Sequence, residues 1–357
     1  MKRVFSISLA ILFSGCGESE NASPFAAPST DRDGSLPLSD SGAEIGDGES
    51  PSPVDASPVE EGGVRGCGTF SNDSDAAALI THSIVPKTTD AAISATWNAP
   101  HISFVKPSGN HPCKLVLFLS GLNGTPSAST PFVVHAAENG FHAISLTYVN
   151  TISPSPACET TADADCHYKL RVEELDGSDL SPLLTVPVAD GIENRLAKLL
   201  LHLDQSFPNE GWGAYLNGQT PAWDSIIVSG HSHGSSTAGV IGVVRKVERV
   251  IMLSGPYDFR GKQGQNPTPA PWLTKESITP KDHFFAFAHT ADTQTPQDVR
   301  NWDAAKIPIV GTRGNVDVSS PPYGNTNQLG SALAGGGHGT TATNDTYAPA
   351  WDYMLGK

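Results

Sequence analysis

The sequence predicts an α/β domain built on a mainly parallel sheet. The run Lys114-Leu115-Val116-Leu117-Phe118-Leu119 is continuously apolar and ends at Ser120-Gly121, as suits a strand buried on both faces. Strand-like runs alternate with helix-like segments over the last 290 or so residues, the pattern of parallel strands joined by right-handed crossovers. The β-branched run Ser225-Ile226-Ile227-Val228-Ser229 leads straight into Gly230-His231-Ser232-His233-Gly234, and small apolar residues follow over 235–244. Strand, sharp turn and buried helix are thus expected in immediate succession at that point.

Taken in order, early strands are expected at 79–85, 91–97 and 101–105, followed by the run at 114–119. Residues 129–139 read as a helix closed by Gly140, a C-cap glycine. A strand follows at 142–149. The segment 150–188, with Pro154, Pro156 and two cysteines, reads as a long irregular loop, and loops of that length in a compact domain are usually functional. Asp190 opens a helix in which Ile192, Leu196, Leu199, Leu200 and Leu203 recur at helical spacing until Pro208 stops it. Beyond the central turn, strands are expected at 249–253, 283–288 and 307–311, with a last helix at 347–355.

The N-terminus reads differently. Lys2 and Arg3 precede an apolar run at 4–13, too short to cross a bilayer and typical of a secretory signal peptide. It ends in Phe13-Ser14-Gly15-Cys16, which resembles the bacterial lipobox, although Leu is usual where Phe13 stands. That resemblance implies a signal at 1–16, diacylated Cys16 as the new N-terminus, and, with Gly17 next, an outer-membrane lipoprotein. Plain cleavage and secretion remain the alternative. No other segment is long and apolar enough to span a bilayer. Residues 17–66 carry eleven acidic and two basic side chains among Ser, Pro and Gly, without apolar periodicity, and are expected to form a disordered acidic tether. Residues 67–357 form the folded domain, with a net charge near −8 that argues against nucleic acid as a partner.

Of five cysteines, four remain if Cys16 carries lipid, and an even number in an exported chain implies disulfides. Three pairings are possible. Cys158 with Cys166 and Cys67 with Cys113 is the favoured set, contributing about 2.6 and about 4 kcal/mol in a chain-entropy account. No metal-site spacing, G-x-G-x-x-G or Walker loop occurs, so no metal or organic cofactor is implied.

The central pentapeptide is a G-x-S-x-G motif. Its glycines remove the Cβ atoms that would crowd a strained turn, leaving the Ser232 hydroxyl exposed. A serine hydroxyl needs a base, an acid to orient that base, and donors for the oxyanion. With Ser232 in this context, residues 75–357 resemble the α/β-hydrolase superfamily, in which the chain order is Ser, acid, His. The resemblance implies His338, within Gly335-Gly336-Gly337-His338-Gly339, as the base on a mobile glycine-rich loop. It implies Asp292 as the acid, after the strand at 283–288, with Asp258 and Asp317 as alternatives. The backbone N–H of His233 and that of Leu122, in Ser120-Gly121-Leu122-Asn123-Gly124, are the expected oxyanion donors. His231 and the His233 ring read as packing or lining groups rather than the base.

Asn194-Arg195-Leu196, Gly211-Trp212 and Trp223 resemble a set of bacterial exported hydrolases, a likeness silent about substrate. The stretch 259–282 is too short for an independent lid domain, which leaves 150–188 to shape substrate entry. The expected activity is cleavage of small-molecule or lipid-like carboxylic esters through an acyl-enzyme, with membrane contact through the lipid anchor. Amide or peptide hydrolysis by the same residues is one alternative, and a catalytically silent surface binding protein is another.

Overall fold

The computed structural model describes residues 66–68, 78–159, 161–262 and 264–357. The signal segment, Cys16 and the tether through residue 65 lie outside the described residues. In chain order the main sheet uses β1 (Ile80–Ile84), β2 (His101–Val105), β3 (Leu115–Leu119), β4 (His142–Leu146), β5 (Ile226–His231), β6 (Arg249–Leu253), β7 (Phe284–His289), β8 (Gly314–Asn315) and β9 (Gln328–Ser331). The principal helices are α1 (Thr130–Glu138), α2 (Pro154–Cys158), α3 (Cys166–Asp176), α4 (Ile192–Ser206), α5 (His233–Val244), α6 (Thr295–Ala304) and α7 (Ala348–Leu355).

The strand order is β1-β2-β4-β3-β5-β6-β7-β9-β8. The β1–β2 and β2–β4 pairs are antiparallel, and every later pairing is parallel. Alternate side chains feed two separate cores. Leu115, Leu117 and Leu119 of β3 pack with α4 and α5 on one face, while Val116 and Phe118 pack with α1 and α7 on the other. Because both faces are covered, the central strands carry apolar residues at consecutive positions. This is the α/β-hydrolase fold, with the β5–α5 turn at the middle of the sheet.

Four expectations change. Residues 91–97 form turns instead of a strand, since Asp190 Oδ1 accepts from the Ser94 N–H and Arg195 Nη1 donates to the Trp97 carbonyl. Side chains there replace a ladder. The segment 150–188 is not irregular throughout, because it contains α2 and α3. Helix α3 escapes apolar periodicity because it buries Arg171, Glu173 and Glu174 beside Leu170 and Leu175. Residues 307–311 form no strand. The Pro308 carbonyl accepts from the Asn327 N–H, and the short edge strand is β8 instead. Strand β9 was not anticipated, since Leu329 is its one strongly apolar residue.

Both favoured disulfides are present. Cys67–Cys113 ties residues 66–68 to the approach to β3, and Cys158–Cys166 joins the end of α2 to the start of α3. Two buried histidines make stability depend on pH. His101 is pushed down to about 3 by burial and then by the Arg195 charge. His142 is pushed down to about 4 by burial, against its hydrogen bond with the Glu210 carbonyl. Unfolded imidazoles take up a proton near pH 6.5, so between about 6.5 and about 4 the unfolded chain binds more protons than the folded one. Thermal midpoints should therefore fall steadily as pH drops through that window. A flat profile from pH 7 to 4.5 would contradict neutral burial of these rings.

Candidate active site

Ser232 sits between β5 and α5 with φ 55° and ψ −116°, in the left-handed half of backbone space. Such a conformation costs on the order of 1–3 kcal/mol and persists only where surrounding structure fixes it. Here the Ser232 N–H donates to the Leu253 carbonyl at 2.9 Å, and the Ser232 carbonyl accepts from Ser235 N–H and Oγ. A Cβ at Gly230 would strike the Gly234 carbonyl, and one at Gly234 would strike the Leu119 carbonyl. The motif's glycines are therefore required by close backbone packing.

His338 Nδ1 donates to Asp292 Oδ2 at 2.6 Å. Asp292 follows β7, and its Oδ1 accepts from the Gln294 N–H at 3.0 Å. Burial works to raise the Asp292 pKa, but the His338 hydrogen bond and the Gln294 N–H outweigh it and hold the carboxyl below its ordinary value. The glycine loop is anchored more firmly than its composition suggests. The His338 carbonyl accepts from His231 Nε2 at 2.9 Å and Ser254 Oγ at 2.6 Å, and the Leu333 carbonyl accepts from His289 Nε2 at 2.9 Å. The His231 and His338 rings meet edge to face, with centroids 4.8 Å apart. Burial pushes His231 down to about 4, so it stays neutral beside His338.

Ser232 Oγ makes no hydrogen bond to His338 here. Serine–histidine pairs of this kind are often long without substrate and tighten in the reacting complex. Of the alternative acids, Asp258 is buried against Arg171 Nη2 (3.2 Å) and Trp272 Nε1 (3.0 Å). Asp317 binds Ser331 Oγ and the Ala332 N–H, each at 2.6 Å. Neither is hydrogen-bonded to His338.

The turn after β3 approaches Ser232 closely. A Cβ at Gly121 would lie 3.3 Å from Ser232 Cβ and 3.3 Å from His231 Nδ1, so side chains are disfavoured at that position. Leu122 lies on the wall of a cavity of about 260 Å³ that Ser232 and His233 also line. Two residues without a sequence signal fix this turn. Asn150 Nδ2 donates to the Gly121 and Gly124 carbonyls at 2.8 and 2.9 Å, and the Tyr148 hydroxyl donates to the Ser120 carbonyl at 2.7 Å.

Beneath Ser232 lies a buried charge network that the sequence did not reveal. His233 Nε2 is 2.6 Å from Arg171 Nη1 and 2.8 Å from Glu174 Oε1. Thr237 Oγ1 donates to Glu174 Oε2 at 2.9 Å. Burial and then the Arg171 charge hold the His233 pKa down, against the pull of Glu174. His233, whose backbone N–H is one of the two expected oxyanion donors, is thus gripped by its own side chain. Among the described residues, no group of three or more His, Cys, Asp or Glu side chains is placed to hold a metal ion.

A strained serine on the central strand–helix turn, a hydrogen-bonded His–Asp pair after later strands and a turn after β3 that packs close to the serine come together on an α/β-hydrolase fold. No family model matches the chain, and no curated protein matches its sequence. Among solved structures, the chain is similar to TT1662 from Thermus thermophilus, at 13% identity and a TM-score of 0.40, over 78% of this chain and 98% of that one. A structure of FAE has 13% identity and a TM-score of 0.39, over 80% and 90%. S-formylglutathione hydrolase (FrmB) from Staphylococcus aureus has 12% identity and a TM-score of 0.40, over 78% and 97%. Likenesses this distant carry no functional argument, and the fold assignment rests on strand order and the turn.

Proposed function

We propose that this chain is a serine hydrolase that cleaves carboxylic esters through an acyl-enzyme. The observation that carries the reading is the pairing of His338 with Asp292 on a loop anchored to His231, the neighbour of the strained Ser232. In this reading Ser232 Oγ attacks the ester carbonyl carbon while His338 Nε2 takes the hydroxyl proton. Asp292 holds the proton on Nδ1 and stabilises the imidazolium that forms. The N–H groups of His233 and Leu122 receive the oxyanion, a donor of this kind being worth about 2.7–4 kcal/mol. His338 returns its proton to the departing alcohol. Water then repeats the sequence on the acyl-enzyme, releasing the acid and restoring Ser232. Lipidation at Cys16 would place this chemistry at the cell envelope, probed by metabolic labelling with a fatty-acid analogue in wild type and Cys16→Ala.

The test is hydrolysis of p-nitrophenyl acetate, butyrate and octanoate by the full-length protein and by Ser232→Ala. Activity lost in Ser232→Ala, with fluorophosphonate labelling of the wild type alone, is the expected result. No turnover of any ester and no labelling would move the reading to a binding protein on a hydrolase scaffold.

A further inference from the structure

We propose that the cavity beside Ser232 recognises an ammonium group on the ester, with Glu159 and the Tyr257 ring as the recognising residues. The inference rests on the ester-hydrolase reading and names its substrate class. The cavity wall is mixed: Leu122, Pro154, Pro156 and Tyr257 stand among hydroxyl, amide and charged side chains that include Glu159, Arg171 and Asp258. Ligand cavities commonly set a few placed polar or charged groups in a largely apolar lining, and those groups fix what is recognised.

The sign of the wall follows from how its charges are paired. Arg171 is 1% exposed and already bound to Asp258 Oδ1 at 3.2 Å and Glu174 Oε2 at 3.4 Å, so two carboxylates offset its single charge. Glu159 lines the same cavity, and among the described residues its carboxylate has no hydrogen bond or ion pair. Three cations of neighbouring segments are committed elsewhere. Arg260 donates to the Thr161 and Asp163 carbonyls, Lys169 pairs with Asp163, and Lys275 pairs with Asp165. One free carboxylate therefore stands on a wall whose guanidinium is already neutralised.

Tyr257 supplies a second, independent element. Tyr257 lines the cavity, and its ring is braced edge to face by Phe259, with centroids 5.0 Å apart. Its phenol is pushed up by burial and then by the carboxylates of Asp298, Glu159 and Asp292, and Glu159 lines the same cavity. Asp298 is itself pushed towards its neutral acid by burial, which leaves Glu159 and Asp292 as the standing negative charges. A carboxylate beside an aromatic face attracts a primary or quaternary ammonium through both the charge and the ring quadrupole. An ester bearing a carboxylate would meet repulsion at the same place.

The experiment compares choline with 3,3-dimethyl-1-butanol, which has the same shape without the charge, as inhibitors of p-nitrophenyl acetate hydrolysis by the full-length protein. Choline should have an inhibition constant about tenfold lower or better, a difference of about 1.4 kcal/mol. Glu159→Gln should bring the two constants together, and Glu159→Asp should keep much of the preference. Equal constants in the wild type, or a preference untouched by Glu159→Gln, would overturn the inference. If none of p-nitrophenyl acetate, butyrate and octanoate is hydrolysed and no fluorophosphonate labelling occurs, the ester-hydrolase reading fails. Calorimetric titration with the same two compounds then still decides whether the cavity prefers the cation.

Discussion

Asp292→Asn is expected to lower kcat for p-nitrophenyl acetate about 10⁴-fold while leaving the thermal midpoint close to that of the parent. The asymmetry comes from what Asp292 touches. Its Oδ2 accepts from His338 Nδ1, and its other oxygen accepts one backbone N–H. An amide can keep the turn, but it presents a donor to Nδ1 in one orientation and a weaker acceptor in the other. The imidazole then loses its preference for carrying the proton on Nδ1, and Nε2 is no longer reliably free to receive the serine proton. Asp258→Asn should show the opposite pattern, with stability falling and the tautomer undisturbed, because Asp258 binds Arg171 and Trp272. Near-wild-type kcat in Asp292→Asn, with a collapse in Asp258→Asn at unchanged fold, would reassign the acid.

Arg171→Met should destabilise the protein by about 3–5 kcal/mol, the largest stability effect anticipated for a single change here. The guanidinium is the shared partner of Glu174 and Asp258, which are each 1% exposed. Removing it leaves two buried carboxylates facing each other across an apolar side chain. Burial works to raise both acids, and Arg171, with His233 at Glu174 and His167 at Asp258, holds them below their ordinary values. In the parent, the stability they contribute is present above the carboxylate range and is lost as pH falls through their lowered pKa values. In Arg171→Met the acids favour their neutral forms, so the deficit should shrink as pH falls. Urea midpoints at pH 7.5 and 5 measure this, and a deficit constant with pH would show that packing, not charge, explains the loss. Activity should drop as well, since His233 loses the contact that steadies its ring.

The sheet and the turn around Ser232 were legible because their signals are local. Consecutive apolar residues mark a strand covered on both faces, and two glycines around a serine mark a turn too tight for Cβ atoms. The pairing of His338 with Asp292 was accessible through chain order, although nothing in spacing alone separates Asp292 from Asp258. Helix α3 was hidden for a physical reason. Its buried face is made of Arg171, Glu173 and Glu174, whose burial depends on partners distant in sequence, so hydropathy reads it as loop. Asn150 and Tyr148 were equally silent, because a side chain that clamps a backbone turn from another strand has no periodic signature. Strand β9 is carried by its register with β7 rather than by composition.

Part of the cavity wall is held by a different stretch of chain from Ser232, Asp292 and His338. Ser153 and Ser155 lead up to the Cys158–Cys166 bridge and Glu159 lies just inside it, whereas Ser232, Asp292 and His338 follow strands of the central sheet. Substitutions in the stretch around that bridge can therefore accumulate without disturbing the strand ends. A lineage carrying this scaffold could change its diet while keeping its teeth, by drift in a dozen residues that no sheet register constrains.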